Sequence, residues 1–201
     1  MKRGRLLVFE GLDGCGKTTQ AARLAERLRR AGRDVVETRE PSDGPHGRRI
    51  RERARAGERV PAAEELAWFV ADRRDHVERV IAPALAADRI VVSDRYTLSS
   101  VAYQGAAGLD PRAILEQGEA EFPLPDLVLL LEIGVEVGLA RVHGRGAALE
   151  ALFEERSRLA RVAEIFRSID RDYVERIDAG APPDAVAEAV ARCVRRRLDL
   201  V

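Results

Sequence analysis

The chain has 201 residues, 34 Lys plus Arg against 34 Asp plus Glu, and a formal net charge of zero. That length fits one α/β domain able to bury about 70% of its unfolded surface without disulfides, and the balanced charge speaks against a nucleic-acid partner, which favours a clustered basic excess. Cys15 and Cys193 are too few for a disulfide framework, and with no signal peptide or long apolar span expected, the sequence reads as a cytoplasmic protein without membrane contact.

The first element is a short apolar, β-prone run, predicting a strand over 6–10. It is followed by a helix over 20–31, where Ala22, Leu24, Ala25 and Leu28 fall at helical spacing. Between them lies Gly11-Leu12-Asp13-Gly14-Cys15-Gly16-Lys17-Thr18, a complete G-x-x-x-x-G-K-[ST] phosphate-binding loop. Glycines let the backbone wrap a phosphate closely, and successive N–H groups with the helix N-terminus supply donors and a positive dipole. Lys17 adds a point charge for the β- and γ-phosphates of ATP, and the Thr18 hydroxyl is the expected Mg²⁺ ligand. Only Lys2 and Lys17 among the basic residues are lysines, so a chain that otherwise uses arginine keeps lysine in this loop. A chance glycine-rich turn would lack the flanking strand and helix.

Further strands are predicted over 35–39, 90–94, 127–132 and 174–178, separated by helical patterns. Strands alternating with helices predict an α/β fold: a three-layer P-loop NTPase-type domain over 1–201, with a five-stranded parallel sheet flanked by helices. Ligands in such sheets bind at the carboxyl ends of the strands, which here carry Asp13, Arg39-Glu40, Asp94-Arg95 and Glu132. A turn-rich loop, Glu40-Pro41-Ser42-Asp43-Gly44-Pro45, and an Arg-rich helix to about 56 follow the second strand. A long helix over 62–86 then places Leu66, Phe69, Val70, Val77, Val80, Ile81 and Ala84 on an apolar stripe, with Arg73 on that same face. Two readings of Arg73 stand side by side: an arginine that snorkels or pairs with a buried carboxylate, or a base-binding pair in which Phe69 stacks a nucleobase and Arg73 donates to its carbonyl.

The loop, Thr38-Arg39-Glu40-Pro41, Phe69-Val70-Ala71-Asp72-Arg73, Ser93-Asp94-Arg95-Tyr96 and Ser99-Ser100-Val101-Ala102-Tyr103-Gln104-Gly105 together resemble the bacterial thymidylate kinases, in order, from residue 5 to about 180. The resemblance implies transfer of the γ-phosphoryl group of ATP to dTMP with Mg²⁺, in a homodimer. It implies that Asp13 faces the sugar 3′-hydroxyl and the phosphate of dTMP and that Arg39 and Arg95 grip that phosphate. Phe69, Arg73, Ser100 and Gln104 are implied to read thymine, and Tyr103 to pack on the deoxyribose. Asp94 closes the third strand where a second-shell Mg²⁺ group is expected. Ser99 also reads as a helix N-cap. Arg141 and Arg145 fall at matching positions of a lid over about 141–155, where they are implied to clamp the transferring phosphoryl group.

Within that likeness the chain departs from the family pattern at several points. His143 stands where a further arginine is common, residues 147–154 differ from the usual Leu-Asp-Arg-Phe-Glu pattern, Ser42-Asp43-Gly44 replaces Gly-Gly-Thr, and Glu132 replaces an Asp. Two rival readings share the loop: another small-molecule kinase, such as a deoxynucleoside kinase, and a nucleotide-binding homologue with weak transfer. A regulatory GTPase needs an Asn-Lys-x-Asp guanine reader, which a chain with lysine only at positions 2 and 17 does not contain.

Overall fold

A strand buried on both faces belongs in the middle of a parallel sheet covered by helices on either side, and Leu6, Leu7, Val8 and Phe9 are each at most 1% exposed. The computed structural model describes residues 4–58, 60–143 and 149–200, with side chains for all of these except 143 and 149–154. In it that run is β1 (Arg5–Gly11), the central strand. The others are β2 (Val35–Arg39), β3 (Ile90–Asp94), β4 (Leu127–Glu132) and β5 (Val174–Asp178). They form one sheet of order β2-β3-β1-β4-β5, parallel throughout. The chain runs from β1 to β2 and β3 on one side and then crosses to β4 and β5 on the other. The carboxyl end of β1 is therefore the topological switch point where a ligand crevice opens.

Alternation along β1 and β4 assigns their side chains to two layers. Leu6, Val8, Val128 and Leu130 pack in one core with Val101, Leu115 and Phe166, which come from α5 (Thr97–Ala106), α6 (Pro111–Glu121) and α8 (Leu149–Ser168). Leu7, Phe9, Leu129 and Leu131 pack in the other with Leu24 and Leu28 of α1 (Lys17–Arg30) and Val190 and Val194 of α9 (Pro183–Leu198). By the same alternation Glu10 shares the face of Leu6 and Val8, toward α5. Among the described residues no helix is long and apolar enough to cross a membrane.

The expected long helix over 62–86 is realised with a wider turn inside it: α3 (Ala62–His76), a π-helical turn (Val77–Ile81) and α4 (Ala82–Ala86) follow one another without a gap. Pro83 explains the π turn, because it has no N–H to give and its ring crowds the carbonyl four residues back. Widening the preceding turn, with the Ala82 N–H reaching the Val77 carbonyl, absorbs the clash. Of the expected apolar stripe, Ile81 and Ala84 are buried in the core and Leu66, Val70 and Val77 pack partly buried against it, while the residues that α3 itself buries are Asp72, Arg73 and His76. The reason for these polar residues lies in the loop after β2, whose Glu40 and Ser42 are themselves buried and need partners.

That loop is clamped from two sides. Asp72 accepts from the Ser42 N–H at 2.7 Å and from its hydroxyl at 2.6 Å, while α2 (Pro45–Ala56) approaches from the other side through Gly47. A Cβ on Gly47 would lie 2.0 Å from the Ser42 carbonyl oxygen and 2.6 Å from its nitrogen, so backbone has to move. Gly47→Ala should cost about 1–3 kcal/mol, the usual range for overpacking, measured as a fall in the urea midpoint. An unchanged midpoint would mean that the loop yields freely.

Candidate active site

The phosphate loop leaves β1 at Gly11 and turns through Gly14 and Gly16, with φ of 138°, 80° and 94°. These are values side chains rarely adopt. α1 starts at Lys17 with Gly16 as its N-cap and no side-chain cap, which leaves first-turn N–H groups for an anion. The Lys17 ammonium, buried, donates to the carbonyls of Gly11 at 3.0 Å and Leu12 at 2.8 Å. Leu12 and Cys15 are buried beneath the loop, and burial pushes the Cys15 thiol up despite nearby Lys17, so it stays a neutral packing group.

Next to the loop, the Thr18 hydroxyl donates to Asp94 Oδ2 at 2.5 Å. The other Asp94 oxygen, Oδ1, is buried and has no hydrogen-bond partner among the described residues. An orphaned carboxylate oxygen beside a hydroxyl suits a hard, oxygen-seeking cation, and Mg²⁺ is commonly held by one or two protein groups plus phosphates and water. No group of three His, Cys, Asp or Glu gathers among the described residues. The pair therefore fits a cation that arrives with a nucleotide.

Across the crevice stands Arg95, first residue after β3, with a positive φ of 73°. Its backbone N–H is held by the Phe9 carbonyl at 2.9 Å. The guanidinium pairs with the Asp13 carboxylate, donates to Ser99 Oγ at 3.3 Å and lies 5.3 Å from the Tyr103 ring centre. The Asp13 N–H donates to the Tyr103 hydroxyl at 3.2 Å. Burial raises the Asp13 carboxyl, but Arg95 and Lys17 outweigh it and hold the group below the ordinary Asp value. Burial opposes the charge on Arg95, while Tyr103 and Asp13 favour it, leaving its pKa raised. Asp13, Arg95 and Tyr103 are thus one cluster, and Tyr103 rests edge-on against Phe166 at 6.4 Å.

Arg39 is not part of that cluster. Its strand position aligns with Asp94, yet its guanidinium is 55% exposed and turned to Asp43 at 2.8 Å.

Arg73 is 2% exposed, and its Nε donates to Glu40 Oε2 at 2.9 Å while NH2 donates to Ser100 Oγ and the Tyr96 carbonyl, both at 3.0 Å. The pairing with a buried carboxylate is therefore realised, and Ser100 joins it. Gln104, also buried, donates to Glu65 at 2.9 Å, and Phe69 is half-buried outside both cores. Glu40 also contacts His76 Nδ1 at 3.2 Å, and His76 Nε2 lies 2.6 Å from the Thr38 hydroxyl. The sequence reading missed these roles of Glu40, Asp72 and His76. Positions 72, 73 and 76 lie on one helical face, a signal that was present but masked by the apolar residues around it.

One expectation needs correction: Ser99 is not an N-cap, because Tyr96 occupies that position of α5 and Ser99 lies one turn inside. Arg141, at the start of the expected lid, lies on α7 (Val135–His143), with its guanidinium 3.3 Å from the Gly14 carbonyl. Arg145 lies outside the described residues.

Comparison with known proteins shows a family likeness along most of the chain. The family model described as thymidylate kinase matches residues 9–190. The thymidylate kinase of Desulfotalea psychrophila is 42% identical over 197 residues, covering 98% of this chain and 97% of that protein. That of Akkermansia muciniphila is 42% identical over 196 residues, covering 98% and 94%. That of Xanthomonas euvesicatoria is 46% identical over 183 residues, covering 91% and 80%.

The Glu40–Arg73 pair sets a stability expectation. Glu40→Ala leaves a buried, uncompensated guanidinium and should cost about 3–5 kcal/mol, read by denaturant unfolding. A loss below about 1 kcal/mol, the level of an exposed pair, would show that Arg73 finds water instead.

Proposed function

We infer that the chain, which belongs to the thymidylate kinase family, transfers the γ-phosphoryl group of ATP to dTMP, giving dTDP and ADP. The observation that carries this reading is the placement of the phosphate loop beside the Asp13–Arg95–Tyr103 cluster at the ends of β1 and β3. A donor site and an acceptor site there share one wall.

In this reading the loop, Gly11 to Thr18, holds ATP through its backbone N–H groups and Lys17. Lys17 turns from the loop carbonyls to the β- and γ-phosphates. A phosphate oxygen of dTMP attacks the γ-phosphorus as the bond to the β-phosphate oxygen breaks. Two anions must meet for this to happen. Arg95, already aimed by Asp13 and Ser99, and Arg39, released from Asp43, offset the repulsion and fix the line of attack. Thr18 and Asp94 would hold Mg²⁺, which supplies charge neutralisation on the phosphates. Asp13 accepts from the sugar 3′-hydroxyl, and Tyr103 crowds the place a 2′-hydroxyl would take. Arg73, whose hydrogen bonds run from Nε and NH2, donates to thymine together with Ser100 and Gln104, with Phe69 against the ring. Arg141 and Arg145 serve the donor side from a lid over about 141–155. Homodimeric assembly rests on the family resemblance, and a cytoplasmic location on the sparse cysteines.

A coupled ADP-release assay over dTMP, dUMP, thymidine and dCMP tests the substrate. Turnover should be greatest with dTMP, and a preference for thymidine would indicate a nucleoside kinase instead. In Lys17→Ala turnover should fall about 10²–10³-fold, the scale for losing one electrostatic donor, with dTMP affinity by calorimetry nearly unchanged. Wild-type turnover in that variant refutes the donor assignment.

For the base, Ser100→Ala is cleaner than removal of Arg73, because Arg73 also neutralises Glu40. Loss of one hydroxyl that orients Arg73 should raise the KM for dTMP by about tenfold, near 1.4 kcal/mol, and leave that for ATP within about twofold. Equal changes for both nucleotides would mark Ser100 as structural.

A further inference from the structure

Glu10 ends the apolar run of β1 and is fully buried, yet no step above uses it. Its Oε1 accepts from the backbone N–H of Tyr96 at 2.9 Å and from that of Ser99 at 3.0 Å, and its Oε2 accepts from the Ser99 hydroxyl at 2.5 Å. Tyr96 is the N-cap of α5 and has no side-chain cap of its own. Ser99 is the third residue inside the helix. A capping box serves these same two N–H groups with two local side chains, whereas here a single carboxylate, 86 and 89 positions away in sequence, takes both.

The contacts continue beyond the helix end. The Ser99 hydroxyl that donates to Glu10 accepts from Arg95 NH1 at 3.3 Å. Arg95 itself has a left-handed backbone, which costs a non-glycine residue about 1–3 kcal/mol and persists only where its surroundings over-determine it. On its N-terminal side Arg95 is pinned by the Phe9 carbonyl, one residue before Glu10, and on its C-terminal side by the cap that Glu10 forms. Burial pushes the Glu10 carboxyl up to about 7, against the pull of Ser99, Arg95 and Tyr96, so desolvation is the larger effect. An apolar residue at this position would avoid that cost.

We propose that Glu10 is a positioning residue for the acceptor phosphate: through the α5 cap and the Ser99 hydroxyl it presets the guanidinium of Arg95 toward the crevice. The proposal rests on the reading that Arg95 grips dTMP, so Arg95→Ala belongs in the same experiment.

Steady-state kinetics of the full-length enzyme are compared for wild type, Glu10→Ala, Glu10→Gln, Ser99→Ala and Arg95→Ala, varying dTMP and ATP separately. Glu10→Ala and Ser99→Ala should each raise the KM for dTMP about tenfold or more, with the KM for ATP within about twofold. Glu10→Gln keeps a carbonyl for the Tyr96 and Ser99 N–H groups and should recover to within about threefold of wild type. If Glu10→Ala does not fold, Glu10→Gln and Ser99→Ala, which keep the shape, carry the comparison. Equal losses for both nucleotides, or an unchanged dTMP KM while Arg95→Ala loses dTMP, overturns the proposal and leaves Glu10 as a structural cap. An unchanged dTMP KM in Arg95→Ala removes the acceptor reading, and this inference with it.

Discussion

The ion pair between Arg73 and Glu40, with side chains 2% and 3% exposed, is the contact on which the acceptor half of the site depends. Removing two charges from water is expensive, and their attraction repays it only with good geometry and further hydrogen bonds. Both conditions hold. Arg73 also donates to the Tyr96 carbonyl and Ser100, and Glu40 also contacts His76. The pair thereby joins the end of β2, the inward face of α3 and the start of α5. A hydrophobic substitute could hold these elements together as well, but it would leave no guanidinium for the base contact proposed above.

The phosphate end of the proposed acceptor site is built differently. Where Arg73 is sealed in, Asp13 and Arg95 keep 39% and 22% of their side chains exposed, as groups must if they are to exchange one partner for another. Asp13 stands in for an anion on Arg95, and Arg39 is similarly occupied by exposed Asp43. The exposed Arg39–Asp43 pair holds its arginine only weakly. In the proposed reading an incoming phosphate, with more charge and more acceptor oxygens, takes Arg39 from Asp43 and adds to the contacts that already aim Arg95. The two halves of the site thus divide the work: buried pairs fix shape, and half-exposed pairs keep arginines charged and nearby.

The strands and the phosphate loop were legible in the sequence because each has a local cause. β2 through β5 occupy the predicted ranges: β3 and β4 are short, mostly apolar runs buried on both faces, and the partly exposed edge strands β2 and β5 are marked by their β-branched residues and by the helical patterns on either side. The helix over 62–86 was less legible. Its apolar residues gave the period and the stripe, but neither the π turn before Pro83 nor the burial of Asp72, Arg73 and His76, which partner a loop thirty residues earlier. Glu10 illustrates the same limit. Its place at the end of a strand is readable, whereas its partners, Tyr96 and Ser99, come from a helix start that only the fold brings near. Arg39 closes β2 as expected, but the direction of its side chain is decided by Asp43.

Opposite the acceptor cluster, the loop is also held by backbone packing. A Cβ on Gly14 would lie 2.5 Å from the Gly138 carbonyl oxygen, and one on Gly138 would lie 2.8 Å from the Asp13 carbonyl oxygen, so two glycines meet with no side chain between them. α7 therefore presses directly on the phosphate loop, and Arg141, three residues after Gly138, reaches the Gly14 carbonyl from the same helix. With α5 holding Asp13 through Tyr103 and Arg95 on the other side, the loop is braced between elements that follow β3 and β4. Its anion-binding shape is thus imposed from both flanks, which reduces the rearrangement left for phosphate binding to accomplish.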